Sequence, residues 1–210
     1  ARASRLRLPA ELIRDQALFT SGLLNAEIGG PSVKPYQPAG VWKEIASQQY
    51  EPDTGKDLYR RSMYTFWKRT VTPPAMATFD APSRETCIVK RPRTNTPLQA
   101  LALLNDVTYV EAARKLAERM LDQHDQSAAA RIQYAMRIVL AREASEHELP
   151  LLLNALKRNQ KRFEKDPQAA QQLISVGESR QKKQHDAAEL AACTIVASLI
   201  LNLDESINRE

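Results

Sequence analysis

The feature that most constrains the fold is the stretch of residues 94–120, in which every local signal favours helix. Thr96, Pro97 and Gln99 form a capping box with proline at the first helical position. Beyond them, Asn105 and Asp106 provide a break and a second cap. Apolar residues recur at helical spacing on both sides of that break: Leu98, Leu101, Ala102, Leu104, Val110, Ala113, Leu116, Ala117 and Met120. The pattern predicts a helical hairpin at the centre of the core.

Four more helices are predicted after the hairpin, each with an N-terminal cap signal. Their expected spans are 127–142, 145–165, 167–177 and 186–203, introduced in turn by Asp125 or Ser127, by Ser145 with Glu148, by Asp166-Pro167, and by Asp186 with Glu189. The last helix is the most apolar. We expect it to be the most buried helix of the domain and to pack on the hairpin, with Leu199 in that contact.

The N-terminal half is less regular. A helix is expected over 9–25, an irregular loop over 26–40 and a short helix anchored by Trp42 over 41–49. Residues 57–71 fit helix or strand, and helix is favoured. Residues 72–96 form a proline-broken loop of unusual length. The predicted fold is therefore mainly α: one helical domain over 1–210, with an irregular Pro-rich N-terminal half and a bundle of five or six helices in the C-terminal half.

Composition agrees with a globular domain, at 43% hydrophobic and 26% charged residues. No stretch reaches the ~18 to 20 consecutive apolar residues of a membrane span. The chain opens on Ala-Arg-Ala-Ser-Arg without an initiator methionine, so we expect it to be a piece of a longer protein. Cys87 and Cys193 lie in no redox or metal motif, and two buried free thiols are expected.

Positive charge is concentrated in residues 56–93, which hold nine basic and three acidic side chains, whereas the whole chain has a net charge of only +5. Five of the twelve aromatic residues lie in the same window. Cationic side chains interleaved with aromatic faces suit an anionic ligand. The predicted binding surface consists of Arg60, Arg61, Tyr64, Trp67, Lys68, Arg69, Asp80, Arg84, Arg91 and Arg93.

The same basic segment also fits a purely structural role. Arginines in a long irregular segment often bind carbonyl and carboxylate groups of their own fold, and such contacts would pin the loop to the helices. As a ligand surface, the segment would suit an anionic glycan, an acidic protein surface or a nucleic acid, because a basic patch alone does not distinguish them.

No catalytic motif is present. His124, His147 and His185 are isolated near predicted helix ends, and the sequence contains no metal, haem, nucleophile or phosphate-loop motif. We therefore expect no cofactor and no metal. Asp80 and Glu85 could supply two carboxylates for acid–base chemistry, but salt bridges with nearby Arg84 and Arg91 are the favoured use of both.

Five segments together resemble a known family: GGPSVKPYQPAGVW at 29–42, DLYRRSMYTFWKRT at 57–70, ATFDAPSRETC at 77–87, RTNTPLQALALLND at 93–106 and AACTIVASLILNLDE at 191–205. They resemble a planctomycete-type domain of unknown function. That family occurs at the C-terminus of large exported proteins, commonly downstream of a cytochrome-c-like domain. The resemblance therefore implies that this chain is the C-terminal domain of a longer protein.

The resemblance implies an extracytoplasmic location, in the periplasm or on the cell surface, and brings no catalytic residue with it. It argues against nucleic acid as a partner, because an exported protein seldom meets a genome. It also implies that Cys193 is a packing position, since the family commonly has an aromatic residue there.

Two functions from different classes follow. The first is a non-catalytic binding or scaffolding domain that contacts an anionic polysaccharide or the other domains of its parent protein. The second is a hydrolase or lyase that acts on such a polysaccharide with Asp80 or Glu85 as acid or base.

Overall fold

The computed structural model describes residues 6–42, 49–68, 70–123, 127–181 and 183–209, and within these ranges the chain is mainly α-helical. One two-stranded antiparallel sheet joins the ends of the chain, with Leu6 opposite Arg209 and Arg7 opposite Asn208. Most of the helix predicted over 41–49 lies outside the described residues. The elements, in chain order, are β1 Leu6–Arg7, α1 Ala10–Ser21, α2 Pro74–Thr78, α3 Pro97–Asn105, α4 Val107–Leu121, α5 Ala128–Leu140, α6 Glu148–Lys165, α7 Pro167–Ile174, α8 Ala187–Leu201, α9 Asp204–Ile207 and β2 Asn208–Arg209.

The predicted caps place the starts of α4, α5, α7 and α8 correctly, whereas α6 begins later than predicted, at Glu148. Asp106, Ser127, Asp166 and Asp186 each accept a hydrogen bond from a backbone N–H in the first turn of α4, α5, α7 and α8. Each bond satisfies one of the N–H groups that a helix start leaves without a partner. Both halves of the Ser145–Glu148 capping box are also present, at 2.8 and 3.2 Å. The predicted bundle of five or six helices is confirmed, and the short α9 is an additional turn.

Helix α4 is the centre of the molecule, because it lies between two hydrophobic cores. One face packs with α5, α6, α7 and α8, and the opposite face packs with α1, Phe79 and Leu103. Thirteen of its fifteen residues are buried, compared with ten of fifteen in α8. Helix α8 does pack against α4, as expected. The expectation that α8 is the most buried helix is wrong, because α8 lies in one core and α4 in both.

The expected burial of Leu199 on α8, and of Leu98 and Leu101 on α3, is also wrong. Leu199 is 39% exposed, and the buried side of α8 near it is formed by Val196 and Ile200. On α3, Leu98 and Leu101 are exposed, whereas Gln99 and Leu103 face inward. Since the apolar residues of α3 occur all round the helix, their spacing alone could not identify the buried face.

The segment 57–71 is neither an α-helix nor a strand. This holds for its described residues, 57–68 and 70–71. The 3-10 turn Gly55–Tyr59 extends into the segment and the 3-10 turn Ser62–Tyr64 lies within it. A buried arginine holds the segment against α1. The Arg14 guanidinium donates to the carbonyl oxygens of Leu58 at 2.7 Å and Arg60 at 2.9 Å. Burial lowers the pKa of Arg14 from its ordinary value. These bonds satisfy carbonyl groups that an irregular backbone leaves without partners.

A cluster of charged side chains lies inside the protein on α4. This α4 ionic cluster consists of Glu111, Arg114, Lys115 and Glu118, all less than a tenth exposed. Arg114 forms an ion pair with Glu118 at 2.6 Å and donates to the carbonyl oxygen of Ser179 at 2.6 Å. Glu111 Oε1 accepts from the Tyr59 hydroxyl at 2.9 Å and from the Ser179 N–H at 2.6 Å. The cluster therefore joins three parts of the chain: the 3-10 turn at Tyr59, α4 and the loop after α7.

Arg142 connects the ends of α5, α6 and α9 through hydrogen bonds to two glutamates. These bonds lead to a testable expectation about how the stability of the fold depends on pH. Its guanidinium donates to both carboxylate oxygens of Glu148 at 2.8 Å and to Glu205 at 2.7 and 2.8 Å. These hydrogen bonds lower the pKa of Glu148 to about 2 and also lower the pKa of Glu205. A lowered carboxyl pKa stabilises the fold above about pH 4.3, its unfolded value, and this stabilisation is lost as the pH falls toward 2.

We expect Arg142→Gln to lower the free energy of unfolding by about 1 kcal/mol at pH 7, because these side chains are partly exposed and screened by water. The difference from the unmodified chain should shrink between pH 4.5 and 2.5. Urea titrations at several pH values measure it. Arg137→Gln, which removes the exposed pair with Glu143, is the control. A difference that stays constant with pH would show that the Glu148 pKa is set by other groups.

No helix in the described part of the chain is long and apolar enough to cross a membrane. Both cysteines are free. Cys193 is buried, and burial raises the pKa of its thiol to about 12, as suits a packing position. The expectation that Cys87 is also buried is wrong: it is exposed on the long loop before α3.

Candidate functional site

The predicted binding residues lie at several separate places, and Arg69 lies outside the described residues. Asp80, Arg91 and Arg93 line one cleft. The other described members do not line that cleft. Most of them contact groups of their own fold, which is the structural role that the sequence leaves open for this basic segment.

Arg60 is a structural residue at the base of the irregular N-terminal half. It is 4% exposed, and its guanidinium donates to the carbonyl oxygens of Gly29 and Pro31, the latter at 2.9 Å. It also lies over the ring of Tyr64 at 4.0 Å, while the Tyr64 hydroxyl accepts from the Gly29 N–H at 2.8 Å. These contacts hold the loop at 27–33 in place. Arg61 beside it is half-buried.

Two further cations lie on aromatic rings of the same chain. The Arg84 guanidinium is 4.2 Å from the centre of the Trp67 ring, and Lys68 Nζ is 4.8 Å from the centre of the Trp42 ring. Trp67 packs at the edge of the second core, and Trp42 is buried. Such cation–π contacts fix the basic side chains to the fold, so Lys68 and Arg84 contribute to loop geometry.

A cleft of about 600 Å³ lies between the start of the chain and the end of the long loop. We call it the basic cleft. Lys90, Arg91 and Arg93 are exposed along one wall, whereas Glu11 and Asp80 are its acidic members. Its volume lies within the range of ligand pockets, about 300 to 1,000 Å³. The lining residues are Leu6, Arg7, Leu8, Pro9, Glu11, Phe79, Asp80, Val89, Lys90, Arg91, Pro92 and Arg93.

Asp80 shapes the wall of the basic cleft. Its carboxylate accepts hydrogen bonds from the Thr94 N–H at 2.7 Å and from the Thr94 hydroxyl at 2.9 Å. Its backbone has a φ of +62°, a left-handed conformation that aspartate adopts more readily than most residues. Glu11 forms an ion pair with Arg91 at 2.8 Å. Both carboxylates of the cleft are thus engaged with the chain, and Glu85 does not line the cleft.

The predicted surface lacks two residues that line the cleft, Arg7 and Lys90. Gln99, predicted only as a capping residue, bonds to Arg7. Gln99 is 1% exposed, and its amide donates to Thr78 and Thr94 at 3.0 and 3.1 Å. The same side chain accepts from Arg7 and, at 3.5 Å, from the Thr96 N–H. Lys90 belongs to the basic segment 56–93 but not to the predicted binding surface. Its position in the run Lys90-Arg91-Pro92-Arg93 could have indicated that it belongs to the site. No comparable sequence signal marks Arg7.

Histidine and metal-ligand sites do not compete with the basic cleft. Within the described ranges, no group of three or more His, Cys, Asp and Glu side chains is arranged to hold a metal ion. His185 lies 3.5 Å from Asp122, and His147 precedes α6, whereas His124 lies outside the described residues. The basic cleft is therefore the candidate site.

Comparison with known proteins gives a family. The family model of PSD1, described as a protein of unknown function (DUF1553), matches residues 1–156, which include the whole basic cleft. The segment 191–205 lies beyond this match. Neither the curated proteins nor the solved structures gave a match. Because the matched region covers well over half of the sequence, the chain belongs to the PSD1 family of proteins of unknown function.

Proposed function

We propose that this chain is a non-catalytic binding domain, and that its basic cleft holds the anionic groups of a polysaccharide bearing sulfate or uronic acid groups. The observation that carries the proposal is the row of exposed cations along one wall of a cleft of about 600 Å³. Lys90 and Arg93 flank Arg91, whose guanidinium also pairs with Glu11. Neighbouring cations on an open wall can contact successive charges of an extended polymer.

The engaged carboxylates favour binding over catalysis. A general acid or base must reach the proton that it transfers. In the cleft, Asp80 is occupied by Thr94 and Glu11 by Arg91. The alternative hydrolase or lyase would have to work with Asp80 alone in the cleft, since Glu85 is elsewhere.

The choice of a polysaccharide rests on the resemblance described above. That resemblance implies an exported parent protein with a cytochrome-c-like domain and a location where anionic polysaccharides occur. The same context makes the other domains of the parent protein alternative partners. The exposed Leu98 and Leu101 of α3 would suit such a contact between domains.

Charge reversal on the cleft wall tests the proposal. We expect Lys90→Glu with Arg93→Glu to abolish retention on a sulfated-polysaccharide column at low salt, with the melting temperature unchanged, because both side chains are exposed. Retention of the unmodified chain should fall steeply as salt is raised, since exposed charges are screened. The control is Lys157→Glu with Lys161→Glu, which makes the same charge change on the exposed face of α6.

Retention that is equal in the cleft variant and the α6 variant would refute a binding site at this cleft. An unmodified chain that is not retained at all would remove the polysaccharide and leave contact with another protein domain as the function to examine. Shortening of the polysaccharide during incubation with the chain would favour the enzymatic alternative.

A further inference from the structure

Two aliphatic side chains at the rim of the basic cleft face water. Val89 is fully exposed and Ile88 is 43% exposed, and we call this pair the aliphatic tip. They lie on an irregular loop before α3, and Val89 lines the cleft. Single exposed apolar residues are common on protein surfaces. Here two of them are neighbours in the chain and are followed directly by exposed cations, which is a less ordinary combination.

The surroundings of the tip are apolar and mainly cationic. The two carboxylates of the cleft are engaged within the chain, Glu11 by Arg91 and Asp80 by Thr94. Leu6, which is 49% exposed, lines the same cleft as Val89. Lys90, Arg91 and Arg93 follow the tip directly in the chain and are exposed. Glu85 is the only acidic residue in the sequence from Arg84 to Arg93. The loop thus presents an aliphatic end and a positively charged base on one side of the molecule.

An anionic lipid surface complements this arrangement. Phosphate-bearing headgroups lie at the level where the cations would bind, and acyl chains lie a few ångströms deeper, where the aliphatic side chains would leave water. A hydrated polysaccharide offers counter-charges for the cations but no apolar layer for Ile88 and Val89. The exposed cations and the exposed aliphatic side chains together therefore favour a lipid bilayer as the surface that carries the anionic groups.

We propose that the aliphatic tip inserts into the surface of an anionic lipid bilayer while Lys90, Arg91 and Arg93 bind its headgroups. The inference rests on the cations of the proposed function and adds the tip, which that function does not use. Each cation near an anionic membrane strengthens binding about fivefold. Two partly inserted aliphatic side chains contribute roughly another tenfold. Binding of this size is reversible and depends on both components.

The test is sedimentation of the chain with vesicles of phosphatidylglycerol and phosphatidylcholine. We expect Ile88→Ser with Val89→Ser to lower the partition coefficient about tenfold and to leave the melting temperature and the retention on the polysaccharide column unchanged. Vesicles of phosphatidylcholine alone should not bind the unmodified chain. The matched control is Ile28→Ser with Leu151→Ser, which removes two exposed aliphatic side chains elsewhere and should not change the partitioning.

A second variant reports insertion directly. Val89→Trp should show a shift of tryptophan emission to shorter wavelength with anionic vesicles and quenching by brominated acyl chains, relative to the unmodified chain. Emission that does not change would overturn the insertion, as would equal sedimentation of the serine variant and the unmodified chain.

The two proposals fail separately. An unmodified chain that binds the polysaccharide column but not anionic vesicles overturns the lipid surface and keeps the proposed function. A chain that binds vesicles through the tip but is not retained on the column keeps the lipid surface and removes the polysaccharide. If the serine variant loses column retention and vesicle binding equally, the tip is part of the polyanion site and the lipid inference is wrong.

Discussion

Replacing Arg114 with methionine is expected to lower the free energy of unfolding by about 3 to 5 kcal/mol. Arg114 is 1% exposed and lies between Glu111 and Glu118, which are buried as well. Without the guanidinium, Glu111 loses its ion pair with Arg114, because Lys115 pairs with Glu118, and the carbonyl oxygen of Ser179 loses its donor. A buried carboxylate without a countercharge costs far more than an exposed ion pair contributes.

A double variant separates charge from packing. Adding Glu111→Gln to Arg114→Met removes the unpaired charge, while the new amide oxygen can still accept from Tyr59 and Ser179. Burial raises the pKa of Tyr59, so its hydroxyl stays protonated and can donate. We expect the double variant to recover more than 1 kcal/mol in urea titrations, because contacting residues couple by about 0.5 to 3 kcal/mol.

The control for both variants is Arg137→Met, which removes an exposed pair with Glu143 and should cost less than about 1 kcal/mol. If Arg114→Met lowers the free energy of unfolding no more than this control does, the α4 ionic cluster does not hold the turn at Tyr59, α4 and the loop after α7 together.

Local sequence signals were sufficient for α1 and for the helices from α3 to α8, but they missed α2, Pro74–Thr78, which lies inside the loop expected over 72–96. A cap such as Asp186 or Ser127 acts within one turn of helix, so its effect can be read without knowledge of the tertiary structure. The burial of α4 could not be read in this way. Glu111, Arg114, Lys115 and Glu118 make the helix look amphipathic, with a charged face for solvent. That face is buried because the loop at Ser179 and the turn at Tyr59 cover it, and both are distant in sequence.

The candidate site shows the same limit. The basic segment 56–93 was visible in the sequence, but the roles of its residues depend on partners that are distant in sequence. Arg60 binds the carbonyl groups of Gly29 and Pro31, and Arg91 pairs with Glu11. Of the cleft residues, Arg7 could not have been found from the pattern, because it reaches the cleft through a terminal strand only two residues long. Charge density located the segment that supplies one wall of the basic cleft. Long-range contacts decide which of its cations face solvent.

Gly177→Ala is expected to be the other strongly destabilising change, at about 3 kcal/mol in urea titrations. Gly177 has a φ of +85°, in the left-handed region that favours glycine. A Cβ added there would also come within 2.6 Å of Glu111 Oε2. Glu111 cannot move away easily, because its carboxylate is buried and already bonded to Tyr59 and Ser179.

The matched control is Gly29→Ala, since Gly29 has nearly the same φ of +86° but a Cβ there would meet no atom within 4 Å. This variant reports the backbone strain alone and should cost about 1 kcal/mol. The difference between the two glycine variants therefore measures how firmly the Glu111 carboxylate is held. Equal losses would mean that the carboxylate yields, and that the loop after α7 is not fixed to α4 through Glu111.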